Sequence, residues 1–133
     1  MPVRDHEALL ALLERRARSP FSWRRWDCAR FAAAAVKAST GRDVLGGLRW
    51  RSRREAAVVI EQEGGLEAAV SRRLVPIAPA LAARGDVAGV PDTLFGIRLM
   101  IVEGRTLVGV GERGLERCPR AAMTLAWSAD AEP

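Results

Sequence analysis

The segment that most constrains the fold is 28–39, which reads Cys-Ala-Arg-Phe-Ala-Ala-Ala-Ala-Val-Lys-Ala-Ser. Ala29, Phe31, Ala32, Ala33, Ala34, Ala35 and Val36 cover nearly the whole circumference of a helix, and only Arg30 and Lys37 carry charge. A helix that is apolar all round belongs in an interior, and its small side chains let neighbouring elements approach closely. Asp27 precedes it as an N-cap, and Gly41 follows it as a terminator. The rest of the chain is expected to pack around this rod.

Other helix signals lie before and just after it. Residues 5–18 read as an amphipathic helix with Leu9, Leu10, Leu12, Leu13 and Ala17 on its apolar face, ended by Ser19-Pro20. A loop with Phe21, Trp23 and Trp26 leads to Asp27. Ser52-Arg53-Arg54-Glu55 has the capping-box spacing, which starts a third helix near 53–63 that stops at Gly64-Gly65. A short helix near 66–73 follows, and 76–85, with Pro76 and Pro79, reads as an irregular crossing loop.

From 86 onward the periodicity changes. Short β-like runs at 87–90, 95–102, 107–110 and 122–127 are separated by turn signals at Pro91-Asp92, Glu103-Gly104-Arg105 and Glu112-Arg113-Gly114. Helices over about 5–73 followed by antiparallel strands over about 86–128 give an α+β fold. At 133 residues, with 49% apolar and 28% charged, the chain is expected to form one domain over 1–133. Only 5% is aromatic, so the core must rest on Ala, Val, Leu and Ile. No apolar run approaches the roughly 20 residues that span a bilayer. Charges from Asp5 to Arg18 break up the first stretch, so neither membrane insertion nor a secretory leader is expected.

The chain carries 21 basic and 16 acidic residues for a net charge of +5, and Lys37 is the only lysine. Arg pairs recur at 15–16, 24–25, 53–54 and 72–73. Acids such as Glu55, Glu61, Glu63 and Glu67 are interspersed, so nucleic acid is not the expected partner and an acidic protein surface is at least as good a fit. Cys28, Cys118 and His6 lie far apart without paired spacing, so no metal site, cofactor or disulfide framework is expected.

Cys28 is the residue closest to chemistry. In the first turn of a helix, unpaired backbone amides and the positive end of the dipole favour thiolate over thiol. The same amides can stabilise an oxyanion. The competing reading is a small buried apolar side chain. Asp27 is better read as a cap than as a base. Asp86 after Gly85 is expected to fix a turn through its own backbone contacts. Trp23, Trp26 and Trp50 could line a groove for a sugar or peptide, but fit better as covers over an alanine-rich core. Cys118, before Pro119, reads as structural.

Trp23-x-x-x-Asp27-Cys28-x-x-Phe31 opening an Ala-rich helix, with Arg84-Gly85-Asp86-Val87 leading into a strand, resembles the NlpC-type papain-like cell-wall peptidase superfamily. Thr40-Gly41-Arg42-Asp43, Gly64-Gly65-Leu66, Gly96-Ile97, Gly114-Leu115 and Ala126-Trp127 make it similar to a small phage- and prophage-tail-associated branch. The resemblance spans roughly residues 20–128. It implies N-terminal helices carrying Cys28, packed on a C-terminal antiparallel sheet, with a His at a strand start facing the thiol. Leu94, in Leu94-Phe95-Gly96-Ile97, stands at that position, and no His lies downstream of His6. A thiolate nucleophile needs a proton partner, worth roughly 10²–10⁴-fold in rate. His6 could serve only if the first helix crossed the Cys28 end of the second.

The resemblance therefore implies a catalytically degenerate papain-like domain. Its expected role is a structural or assembly component of a phage or prophage tail, cytoplasmic or virion-associated, contacting other tail proteins. The alternatives are a cysteine hydrolase acting on peptidoglycan peptides through Cys28, and an Arg-rich nucleic-acid-associated protein.

Overall fold

Small side chains on one long helix let a twisted sheet close directly against it, and that contact organises the architecture. The structure, a computed structural model, describes residues 4–130 and 133. Four helices come first: α1 (His6–Arg15), α2 (Cys28–Thr40), α3 (Arg53–Gln62) and α4 (Leu66–Ser71). Six strands follow: β1 (Val75–Ile77), β2 (Val87–Asp92), β3 (Gly96–Val102), β4 (Thr106–Gly111), β5 (Gly114–Pro119) and β6 (Leu125–Ser128). They form one antiparallel sheet in the order β1-β6-β2-β3-β4-β5. The architecture is α+β, with the N-terminal helices laid on a C-terminal sheet.

Side chains alternate across the strands and divide the core in two. Val87, Leu99, Ile101, Val108, Val110 and Trp127 face the helices, where they meet Phe31, Ala32, Ala35 and Val36 of α2 and Leu9, Leu12 and Leu13 of α1. Ala88, Met100, Val102, Leu107 and Ala126 face the other way and are covered by Ala82 and Met123. Arg120 secures that cover by donating to the carbonyls of Pro79, Ala82 and Gly104. On α2, Phe31, Ala35 and Val36 are fully buried while Lys37 is exposed.

The caps have clear local causes. Asp27 accepts from the Arg30 amide, Gly41 ends α2 at φ 82°, and Ser52 accepts from the Glu55 amide. Asp86 is buried and takes three donors: the amides of Ala83 and Ala129 and the guanidinium of Arg4. It thus fixes the 83–86 turn and ties the start of the chain to the end of β6.

Several boundaries differ from the sequence pattern. α1 stops at Arg15 rather than running to 18, and 16–18 form turns. The 76–85 stretch is not wholly irregular, because Val75–Ile77 adds an edge strand to β6. Pro76 is tolerated there since an edge strand needs no donor on its free side. Pro91 and Asp92 end β2 instead of turning, and the turn falls at 93–95. Residues 120–122 form a 3₁₀ turn before β6. β5 carries Glu116 and Arg117 on an exposed edge, so its sequence lacks the apolar alternation that marks a strand.

Candidate functional site around Cys28

Asp27 and Cys28 sit where the start of α2 meets the loop 21–26, the segment at Trp50 and the strand β3. Three donors converge on the Asp27 carboxylate. The Arg30 amide reaches Oδ1 at 2.9 Å, and Arg30 Nη1 and Trp50 Nε1 reach Oδ2 at 2.7 and 2.5 Å. Arg30 also donates to the carbonyls of Trp23 and Trp50, and its guanidinium lies 4.3 Å from the centre of the Trp50 ring. With Asp27 only 1% exposed, this is a buried ion pair whose remaining valences are filled by backbone and indole. Its role is architectural: it locks two loops onto the first turn of α2. Arg30 was not recognisable from the sequence as its centre, although the Asp27–Arg30 spacing of three residues was a readable signal.

Cys28 is partly buried beside this lock. Trp23, Asp27, Ala29, Trp50, Val59, Ile60 and Phe95 surround it in an apolar cavity of about 40 Å³, room for a few waters but no substrate. Burial pushes the thiol up to about 11 from an ordinary 9.0. The Leu99 backbone and the charge of Arg98 oppose the rise, while Asp27 and Asp92 add to it. Desolvation therefore outweighs the Leu99 backbone contact and the Arg98 charge, the two influences that favour thiolate. The Asp27 cap also occupies the Arg30 amide, one of the first-turn donors an oxyanion would use.

The strand facing Cys28 offers no imidazole. Phe95, Ile97, Leu99 and Ile101 all point into the helix-side core. Leu94 does not face the thiol as the family pattern implies. It is 37% exposed in the β2–β3 turn, where its amide donates to Asp92, and Phe95 takes the place opposite Cys28. His6 is exposed at the start of α1, where the neighbouring Asp5 amide donates to the Ser39 carbonyl. That point is eleven residues along α2 from Cys28, roughly 16 Å at the helical rise. The crossing that would let His6 act as a base does not occur.

The three tryptophans do not form an open groove. Trp26 is buried against Phe31, with ring centres 5.7 Å apart, and the Arg16 guanidinium lies over its ring at 4.3 Å. Trp50 is buried on Asp27 and Arg30. Trp23 is partly exposed and held edge-on by Phe21 and Phe95. Cys118 lies on the opposite side of the sheet, with its Sγ 3.6 Å from Met100 Sδ, and both cysteines are free. Among the described residues no group of three His, Cys, Asp or Glu could hold a metal, and no helix is long and apolar enough to cross a membrane.

The fold and site define a class: an α+β domain with a partly buried thiol at the head of a central helix, beside an Asp–Arg–Trp lock and with no imidazole near it. The chain belongs to the family described as Domain of unknown function (DUF6950), whose model matches residues 1–129. No curated protein and no solved structure matches it.

Proposed function

We propose that the chain is a catalytically silent domain of papain-like, NlpC-type descent, serving as a structural or assembly component of a phage or prophage tail. The observation that carries the first half is the setting of Cys28. Its thiol is partly buried in a small apolar cavity with its titration pushed up to about 11, and an apolar strand face stands opposite. A hydrolase nucleophile must ionise near the working pH and pass its proton to a positioned base. Here neither condition has a residue to meet it. The order and spacing of the Asp27-Cys28-Phe31, Gly85-Asp86-Val87 and Gly96-Ile97 motifs support the tail-associated branch.

Two experiments test the halves separately. Purified protein is incubated with peptidoglycan and with stem peptides, alongside Cys28→Ala. The expected result is no cleavage that depends on Cys28, and a Cys28-dependent product would overturn the first half. Genes flanking the coding sequence, and peptides recovered from purified virions, test the second. Tail and baseplate genes or virion peptides support it, and a metabolic operon with no virion peptides removes it.

A further inference from the structure

Arginines scattered along the sequence are gathered by the fold at one end of the molecule, where α2 and α3 begin and α1 finishes. Segments 14–25, 49–55 and 112–114 hold ten arginines and three acids. Their contiguity follows from backbone contacts. The Leu115 amide donates to the Ala17 carbonyl and the Phe21 amide to that of Gly111, which sets Arg113 beside Arg18. The Ser22–Trp26 bridge turns Arg24 and Arg25 outward. Arg30, holding the carbonyls of both Trp23 and Trp50, brings that turn against the segment of Arg49 and Arg51.

Glu14, Glu55 and Glu112 leave these segments a net charge of +7, and several acids outside them are already paired. Glu63 pairs with Arg72 and Arg73, Glu103 with Arg117, and Glu116 with Arg98. Among the described residues, Arg18, Arg24, Arg25, Arg49, Arg51 and Arg113 enter no ion pair. Arg53 and Arg54 stand in the first turn of α3, where the helix dipole opposes a cation and would welcome an anion.

We infer that this basic pole binds double-stranded nucleic acid through its phosphates, without reading sequence. A protein partner would need an apolar anchor at the centre of the contact. Among the described residues the large exposed apolar side chains are Leu10, Val58, Leu81 and Leu94, all outside these segments, and within them Trp23 is only partly exposed and held edge-on by Phe21 and Phe95. Interfaces with duplexes are by contrast polar and strongly positive, and guanidinium groups match phosphate in pairs of hydrogen bonds. Single strands are disfavoured because bases need free ring faces. Arg16 and Arg30 cover Trp26 and Trp50, while Phe21 and Phe95 hold Trp23. The sequence favoured an acidic protein because acids are interspersed among the arginines along the chain, an order that the fold does not keep in space.

The test measures binding of the full chain to duplexes of about 20 base pairs with two unrelated sequences, as salt is raised. A site of about six phosphates loses about 10³-fold in affinity between roughly 50 and 200 mM salt. Arg24→Glu with Arg25→Glu is expected to weaken binding at least about tenfold. Lys37→Glu with Arg105→Glu, both exposed and away from the pole, makes the same change in net charge and should leave affinity within about threefold. Thermal melts establish that all variants fold. Equal losses from the two pairs, a salt-independent affinity, or tighter binding to a single strand would overturn the proposal. So would binding of poly-glutamate or of anionic lipid vesicles without binding of the duplex. Cys28→Ala should leave duplex binding unchanged, so this result and the hydrolysis test fail independently.

Discussion

At the scale of single residues, Asp27 carries more of the structure than its neighbour Cys28. Its carboxylate caps α2, neutralises Arg30 and receives the Trp50 indole, all while nearly inaccessible. Breaking a buried pair by removing one partner costs about 3–5 kcal/mol, because the other charge is stranded. Asp27→Ala should lower unfolding stability by that order in a urea titration. Asp27→Asn keeps an N-cap and should cost less. Cys28 makes a pH-dependent contribution of the opposite kind to a paired acid. The unfolded thiol ionises near 9.0 and the folded one near 11, so stability is unaffected below pH 9 and falls as pH rises from 9 to 11. The full drop is about 2–3 kcal/mol, and Cys28→Ala should remove it from a series of urea midpoints. The cap and the turn at Asp86 were legible in the sequence, because both are contacts with residues two or three positions away. The direction of the thiol shift was not, because it depends on Phe95, Val59 and Trp50, which only the tertiary fold brings there.

At the scale of elements, the alanine-rich character of α2 sets how closely the sheet and α3 can approach. Ala35 is fully buried, whereas Ala33 borders an apolar cavity of about 80 Å³ between α2, α3 and α4. Ala35→Leu should therefore overpack and cost about 1–3 kcal/mol. Ala33→Leu has space to enter and should be neutral or stabilising in the same measurement. The β4–β5 turn gives a sharper contrast. Gly114 has φ 134° and a methyl there would collide with the Ala17 carbonyl oxygen, while Gly104 at φ 144° has nothing within 4 Å. Gly114→Ala should destabilise by about 1–3 kcal/mol more than Gly104→Ala, since both carry the dihedral strain but only one the clash. Helix identities were legible because caps and periodicity act locally. β1 and β5 were hidden for different reasons: one is three residues long around a proline, and the other is an edge whose charged side chains reach solvent and Arg98. Strand pairing is a property of both partners, and a single strand's sequence shows only half of it.

At the scale of the whole molecule, two long-range arrangements stand out. Arg4 joins Asp86 and Asp130, closing the start of the chain on the end of β6, and Arg4 holds the Asp130 carboxyl below its ordinary range. That stability is present above the ordinary carboxylate pKa and is lost as pH falls through the depressed one. Arg4→Ala should therefore flatten the acid limb of a stability–pH profile. The second arrangement is the separation of α2's two ends, with Cys28 at one and the His6 region at the other. It leaves the thiol with no proton partner and makes the head of the helix a packing site. The central claim is that this thiol is inert, and alkylation of Cys28 against pH tests it most directly, in a Cys118→Ala background under native conditions. The account predicts slow reaction at neutral pH and a rate that rises with an apparent midpoint near 11. A midpoint at or below the ordinary 9.0 would show a thiolate that burial does not suppress and contradict it.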